Sequence, residues 1–471
     1  MEAPRAASTR GRSSGGSIPV SAAVGALVVS LGAYLGAAPL TDNSFFTHLA
    51  TGRLILESGI PRSDPYSFTA AGEPWVVQSW LASLVYGLVD RVGGLLGIRV
   101  LTALVAAVLA LIMWVLTRPA RGLVARLAIC AVGLAVANTM WSPRPLMFGL
   151  VLLGVTLLVA EERLPAPALL PAFWLWVNVH GSFPFGLLAL GCFAVGSRLD
   201  GVRRPAELRP LLWALGGTAL GVVNPLGPVL LLFPLDLLGR QEILSQIVEW
   251  QSPSFSTTYG RIYLVAVVLA IGSVVRRPAW RSAVPLVVFL VASLIATRNI
   301  AVASIVFVPI TARGASGIGR LTGGERSRGA AVVLAAVVVV GSVLVVGRLS
   351  EPDLDLGAYP VDAVAWLDEG GLLGPDTRRV HSDVVGNYLD LLLGADADVF
   401  VDDRVDMFPS SVLDDELTLV RGGPEWRTVL DRWEADVVLW KRDAPLDQLL
   451  VEDAGWALGY SDQSWVVYRR R

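Results

Sequence analysis

Charged side chains and cysteines are scarce in this 471-residue sequence. Only 17% of the residues are charged and 54% are hydrophobic, with a mean hydropathy of +0.60. Repeated apolar runs, each about as long as a bilayer is thick, exclude a soluble protein and predict a polytopic α-helical membrane protein. The two cysteines, Cys130 and Cys192, lie inside such runs. This excludes a disulfide framework and a cysteine-based metal site.

Nucleic-acid binding is excluded as well, since the arginines are dispersed among short loops and form no basic patch with interleaved aromatic residues. A metal held by Asp42, His48 and Glu249 is conceivable, but their spacing carries no metal signature. We therefore predict neither a metal nor another cofactor.

Charge divides the chain into two parts. Residues 1–349 carry 27 basic and 14 acidic residues, whereas residues 350–471 carry 11 basic and 26 acidic residues. This asymmetry predicts a disordered cytoplasmic N-terminus (1–17), a transmembrane domain (18–349) and a separate soluble domain (350–471). Alternating helical and extended patterns make the last one an α/β domain, without a glycine-rich phosphate loop or a GxSxG elbow. Its predicted helices are Pro360–Glu369, Trp426–Trp433 and Leu446–Val451, and its predicted strands are Arg379–His381, Val399–Asp402, Asp436–Trp440, Trp456–Tyr460 and Trp465–Tyr468.

The positions of the arginines predict the topology, because cytoplasmic loops retain positive charge. About eleven crossings place most arginines of the first part in the cytoplasm and the C-terminal domain outside. Two apolar segments, Trp80–Leu96 and Val229–Leu238, then lie on or dip into the outer surface. The crossings are predicted at about 18–40, 98–117, 123–140, 145–160, 166–178, 182–198, 208–223, 259–275, 279–296, 299–312 and 329–348.

In this topology, every polar cluster that interrupts an apolar stretch falls at the outer face. A single outward-facing site is the simplest explanation. The clusters are Asp42–Asp64 in the first outer loop (41–79), Ser142–Pro145, Asn178–Gly181, Asn224–Gly227, Glu249–Pro253 and Arg298–Asn299.

The same stretches carry a resemblance to a known group. The matching segments are Asp42–Arg53, Ile60–Thr69, Gln78–Leu81, Ser142–Pro145, Leu175–Gly181, Asn224–Pro225, Glu249–Trp250, Arg298–Asn299 and Val401–Phe408. Across nearly its whole length the chain resembles bacterial polytopic membrane proteins allied to the C-type glycosyltransferases, which use polyprenyl-phosphate-linked sugars outside the cytoplasmic membrane. It departs from their usual Asp-x-Trp-Trp-His pattern, since phenylalanines replace the tryptophans and the histidine stands one place later, at His48. Stacking against a sugar ring would be weaker here.

The resemblance implies an inverting transferase that moves a hexose or pentose from a polyprenyl-phosphate donor to an envelope glycan, lipid or protein. Such a reaction needs a base for the acceptor hydroxyl and cations for the departing phosphate. Asp42 is the candidate base, and the alternative is a helix-capping aspartate. His48 and Asp64 could support it or touch the acceptor. For Asp64, turn chemistry within Ser63-Asp64-Pro65 is the competing interpretation.

Arg144 and Arg298 are the candidates for binding the phosphate, because a planar guanidinium suits phosphate oxygens. Each could instead be an interfacial arginine that extends toward water. Asn178, His180, Asn224 and Glu249 are predicted to line the same cavity. Hydrogen bonding between helices is an equal explanation for the two asparagines, and Glu249 could hold a sugar or pair with an arginine.

In the outer domain, Asp402, Asp403, Arg404 and Asp406 form the densest polar group. We interpret it as the end of a strand with an internal Asp–Arg pair, and a lid over the membrane site is the second interpretation. For the whole chain, a transporter and a non-catalytic scaffold that binds envelope polymer or protein are the alternatives to an enzyme. No internal repeat of the kind that transporters show is visible.

Overall fold

The computed structural model describes residues 17–202, 208–240, 248–319 and 323–471. The N-terminal segment expected to be disordered lies outside these residues, apart from Ser17. Over the described ranges the protein is mostly helical.

Helices dominate the described part of residues 18–349. Four of them are long and apolar enough to cross a membrane, and six more apolar helices have 10–17 residues. A short antiparallel pair, β1 (Ile18–Pro19) and β2 (Arg326–Ser327), joins the segments that directly precede the first and the last helix of this part. The helices are α1 (Val20–Gly36), α2 (Asn43–Ser58), α3 (Trp80–Leu116), α4 (Leu123–Ala137), α5 (Pro145–Ala160), α6 (Leu169–Val179), α7 (Phe183–Leu199), α8 (Arg209–Leu220), α9 (Val229–Leu238), α10 (Thr258–Arg276), α11 (Trp280–Ile295), α12 (Asn299–Gly314) and α13 (Arg328–Leu349).

Helix α3 joins two segments that the sequence assigned separately, Trp80–Leu96 and residues 98–117. The backbone leaves helical geometry at Gly94, with φ 60° and ψ −159°. This is a conformation that glycine adopts without steric cost. The break therefore falls at the Gly93-Gly94 pair, which interrupts the first of the two predicted segments.

The first outer segment (41–79), which we expected to be a loop, begins with a 16-residue helix. Helix α2 begins after Asp42, whose carboxylate accepts a hydrogen bond from the Phe45 amide at 3.2 Å, and it ends before Gly59, which has φ 89°. Phe45, Phe46 and Leu49 are fully buried. Their spacing along the chain fits one face of a helix, which is the signal that the interpretation as a loop missed.

Two glycines let α2 pack tightly against α3. A Cβ atom on Gly52 would lie 2.0 Å from the Ser83 carbonyl oxygen, and one on Gly87 would lie 2.4 Å from the Gly52 carbonyl oxygen. The two backbones are therefore in direct contact. The contact leaves no room for a side chain at either glycine. It holds α2 against α3 and thereby positions Asp42, which directly precedes α2.

The last 120 or so residues contain a four-stranded sheet. Strands β3 (Arg379–His381) and β4 (Val437–Lys441) are parallel, while β6 (Trp465–Arg470) pairs antiparallel with both β4 and β5 (Trp456–Ser461). The surrounding helices are α14 (Val361–Glu369), α15 (Asp383–Leu393), α16 (Ser410–Arg421), α17 (Trp426–Arg432) and α18 (Pro445–Val451). Helices α15 and α16 were not expected from the sequence.

The predicted strand Val399–Asp402 is wrong. This segment forms only an isolated bridge, in which the Val399 amide donates to the Tyr66 carbonyl at 2.8 Å and the Phe68 amide donates to the Val399 carbonyl at 3.1 Å. Its apolar residues are buried between the first outer segment, where Phe68 packs on Phe400, and the C-terminal part, where the Phe400 amide donates to His381 Nε2 at 3.1 Å. The C-terminal part thus packs directly on the stretch that carries Asp42.

Candidate functional site

Three charged residues from distant parts of the chain meet in one ion-pair cluster. Arg144 Nε donates to both oxygens of Asp42, at 2.8 and 2.7 Å, and Arg144 Nη1 donates to Glu249 Oε1 at 2.6 Å. Asp42 precedes α2, Arg144 directly precedes Pro145 at the start of α5, and Glu249 lies in a short 3-10 turn. The Asp42 side chain is 10% exposed, so the pair is partly removed from water.

Arg298 lies beside this cluster, at the start of α12. Its amide donates to the Glu249 carbonyl at 3.0 Å, and its guanidinium carbon stands 4.5 Å from the centre of the Trp250 ring. The Arg298 guanidinium makes no ion pair with any residue that the structure describes. The two predicted phosphate-binding arginines are therefore at the same end of the helices, joined through Glu249, and only Arg144 forms an ion pair among the described residues.

His48 lies on α2, beyond the first turn that Asp42 caps, and its Nδ1 is 3.1 Å from Ser83 Oγ. Burial lowers the pKa of His48 to about 4, although the charge of Asp42 acts in the opposite direction. The imidazole is therefore neutral near pH 7 and serves as a hydrogen-bonding group. His180, which follows α6, is half-buried, and its Nδ1 accepts from the Ser182 amide at 3.1 Å.

Two predicted cavity residues make only structural hydrogen bonds. Asn178 is buried, donates to the Trp174 carbonyl at 2.8 Å and accepts from Trp80 Nε1 at 3.1 Å. Asn224 bonds to Gly221, Leu226 and Gly227 within its own turn. The interpretation of Asn178 as a link between helices is confirmed, and Asn224 stabilises a turn.

Asp64 belongs to a different cluster, which ties the first outer segment to the C-terminal part. It accepts from the Tyr66 and Ser67 amides, as expected for a turn, and Arg404 Nη1 lies 2.7 Å from its Oδ1. Arg404 Nε and Nη2 also bind Asp402, at 2.5 to 2.9 Å. The internal Asp402–Arg404 pair predicted from the sequence is confirmed.

Asp403 is a residue near the site that we did not include among the candidates. Ser44, in the first turn of α2, donates a hydrogen bond to its carboxylate, and the Asp403 amide donates to Asn387 Oδ1 at 3.2 Å. Burial raises the pKa of Asp403 to about 7, while Ser44 and the charge of Arg144 act in the opposite direction. A carboxyl group with such a pKa can exchange a proton at neutral pH. In the sequence, only the high density of charged residues at 402–406 indicated that Asp403 could belong to the site.

This raised pKa makes the stability of the protein depend on pH. Between the ordinary pKa of a carboxyl group and about 7, Asp403 binds a proton in the folded state but not in the unfolded state, so stability falls as pH rises through this window. We expect Asp403→Asn to reduce the fall in melting temperature between pH 5.5 and 7.5 by a few degrees. Asp396→Asn, which changes an exposed carboxylate nearby, should leave the fall unchanged. An unchanged pH profile of Asp403→Asn would contradict the assignment.

Among the residues that the structure describes, no group of three or more His, Cys, Asp or Glu side chains is placed to hold a metal ion. Asp42 and Glu249 instead bind the cation Arg144, and His48 contacts Ser83. In comparisons with known proteins, no family model and no curated protein matches the chain.

Proposed function

We propose that the protein is a membrane glycosyltransferase of a bacterial cytoplasmic membrane. It would cross the membrane about eleven times, carry residues 350–471 as an extracytoplasmic α/β domain, and move a sugar from a polyprenyl-phosphate donor to an envelope acceptor. The supporting observation is that Asp42, Arg144, Glu249 and Arg298, from four separate segments, gather at one end of the helices. A cluster of two arginines and two carboxylates in a partly dry site suits transfer from an anionic carrier.

In the proposed reaction, the acceptor hydroxyl oxygen attacks the anomeric carbon as the carbon–oxygen bond to the phosphate breaks. The phosphate leaves with the bonding electrons, and the hydroxyl proton passes to Asp42. Arg298, which has no ion pair with a described residue, binds the phosphate, and Arg144 exchanges Glu249 for a second phosphate oxygen. Movement of Arg144 also frees an Asp42 oxygen for the acceptor.

The location of the donor explains why the proposed site lies at the outer face of the membrane. Nucleotide sugars stay in the cytoplasm, so a site at the outer face needs a sugar that a lipid has carried across. In the proposed topology, the Asp42 end of the helices faces outward and is covered by the C-terminal domain.

A non-catalytic scaffold is the second candidate. It is favoured by one observation, namely that Arg144 occupies both oxygens of Asp42 while the Phe45 amide also binds one of them. A carboxylate used in this way stabilises a fold without further chemistry. Such a scaffold would bind envelope polymer or protein but no polyprenyl phosphate.

Binding of the carrier distinguishes the two candidates. We expect the purified full-length chain to bind a short-chain polyprenyl phosphate, and Arg298→Gln to weaken this binding about 10- to 100-fold, because a charge-assisted contact contributes roughly 1.5 to 3 kcal/mol. Microscale thermophoresis in a neutral detergent measures the affinity.

Arg261→Gln is the matched control, since Arg261 is an exposed arginine in the first turn of α10 and lies outside the cluster. Its affinity for polyprenyl phosphate should equal that of the wild type. Equal affinities for wild type and Arg298→Gln would reject the proposed role of Arg298 in binding the phosphate. No binding to either would reject the donor site and leave the scaffold.

A further inference from the structure

A second concentration of positive charge lies at the opposite end of the helices. Arg144 directly precedes α5 and Glu161 directly follows it, while Arg298 directly precedes α12 and Arg313 lies in its last turn. Each helix has 16 residues and is therefore about 24 Å long. Arg313 and Glu161 form an ion pair at the far ends of these two helices. This end is thus separated from the Asp42–Arg144–Glu249 cluster by the full length of both helices.

A cavity of about 540 Å³ opens at this far end. It is bounded by the segment after α3, the turn between α10 and α11, and the C-terminal end of α12. Among the described residues, its lining contains Arg121, Arg277 and Arg313 and no acidic side chain. Buried Ser282 supports Arg313, which donates to its hydroxyl at 3.2 Å.

The charge of this cavity is not balanced by the described residues around it. Arg121 and Arg277 are exposed and make no ion pair with any residue that the structure describes. The carboxylate of Glu161 is already used by Arg313. Asp200 is occupied as well, since it accepts from the Trp280 and Arg281 amides, both at 2.8 Å. An anion is therefore the natural ligand.

Two exposed apolar residues stand close in the chain to the lining residues 277–279, at the end of α10 and the start of α11. Val275 is 74% exposed and Trp280 is 56% exposed. Tryptophan is enriched where membrane lipid meets water, and basic pockets between membrane helices bind anionic headgroups. A ligand with a charged head and an apolar tail suits both the arginines of the cavity and these exposed apolar residues.

We propose that this cavity binds a phosphate group with net negative charge, carried by the headgroup of an anionic phospholipid. The planar forks of Arg121 and Arg277 would each hold phosphate oxygens at the mouth, while Arg313 adds charge from within. Lipid binding here would clamp the ends of α3, α10, α11 and α12 together. The inference is independent of sugar transfer, since no residue of the Asp42 cluster takes part.

Native mass spectrometry of the full-length protein, titrated with phosphatidylglycerol or phosphatidylcholine, tests the proposal. We expect the wild type to bind the anionic lipid more tightly, and Arg121→Gln/Arg277→Gln to weaken phosphatidylglycerol binding about tenfold or more without changing phosphatidylcholine binding. Both side chains are exposed and unpaired with described residues, so the fold should persist. Arg277→Gln alone provides a milder variant, with a smaller loss expected.

The matched control is Arg163→Gln/Arg276→Gln. It removes the same charge from exposed arginines at the same end that do not line the cavity, and phosphatidylglycerol should bind it as it binds the wild type. If millimolar inorganic phosphate displaces phosphatidylglycerol and wild type shows no preference for the anionic lipid, the cavity binds phosphate, but free phosphate and not a lipid headgroup is its ligand. An equal loss in both double variants, or a loss in neither, would overturn the proposal.

Discussion

Replacing Asp42 with asparagine is expected to lower the rate of sugar transfer by about 10²- to 10⁴-fold, the contribution that a positioned general base makes. Asparagine has nearly the same shape and its amide oxygen can still accept from the Phe45 amide, so the cap of α2 should survive. What is lost is the capacity to take the acceptor proton. Release of labelled polyprenyl phosphate, or incorporation of labelled sugar into membrane or wall fractions, measures the rate.

Two comparisons sharpen this experiment. Glu57→Gln changes an exposed carboxylate on the same helix and should retain the wild-type rate. Asp403→Asn tests the other carboxyl group near the first turn of α2. If Asp42→Asn keeps more than about a tenth of the rate while Asp403→Asn loses it, then the base is Asp403 and the proposed role of Asp42 is wrong.

Truncation of Arg404 should cause the largest loss of stability. Its side chain is 6% exposed, and its two partners, Asp64 and Asp402, have fully buried side chains. The guanidinium also lies between aromatic rings, 4.8 Å from Tyr66 and 4.5 Å from Trp75. Arg404→Ala would leave two carboxylates buried without their cation, which costs about 3–5 kcal/mol of unfolding free energy. Denaturant unfolding followed by tryptophan fluorescence measures this loss.

Arg427→Ala is the control for this prediction. Arg427 also pairs with an aspartate, Asp453, at 2.6 Å, but its side chain is 66% exposed. Exposed pairs contribute about 0–1 kcal/mol. The triple variant Arg404→Ala/Asp64→Asn/Asp402→Asn should regain part of the loss, because it removes the unpaired charges. A cost for Arg404→Ala no larger than that of Arg427→Ala would show that this cluster does not hold the outer segment in place.

Local patterns accounted for the elements whose cause lies in neighbouring residues. The long apolar runs match helices such as α5 and α13, and the strands around residues 379–381, 437–441 and 456–470 stand where extended patterns predicted them. Sequence patterns gave the wrong secondary structure where contacts with residues far away in the chain determine it. Val399–Asp402 has the composition of a strand but pairs with Tyr66 and Phe68, and α2 is polar in composition because only one of its faces is buried.

In the candidate site, too, the sequence indicated the residues but not their contacts. Asp42, Arg144, Glu249 and Arg298 could be selected from the sequence because polar residues at the ends of apolar runs are costly unless they are paired or functional. Their pairing, the separate use of Asp64 by Arg404, and the approach of Asp403 to Ser44 could not be selected. These contacts join residues that are far apart in the chain, and no local pattern encodes such a distance.

By itself, the sequence determined that this protein is helical and apolar enough for a membrane and that its polar residues are concentrated between apolar runs. Hydrophobicity and periodicity are properties of short segments, so they can be read without a fold. Only the tertiary structure decided which charges neutralise each other, that Arg298 and Arg121 are left without an ion pair among the described residues, and that two charged clusters occupy opposite ends of the same helices. Coulomb interactions depend on distances in space, and packing sets those distances.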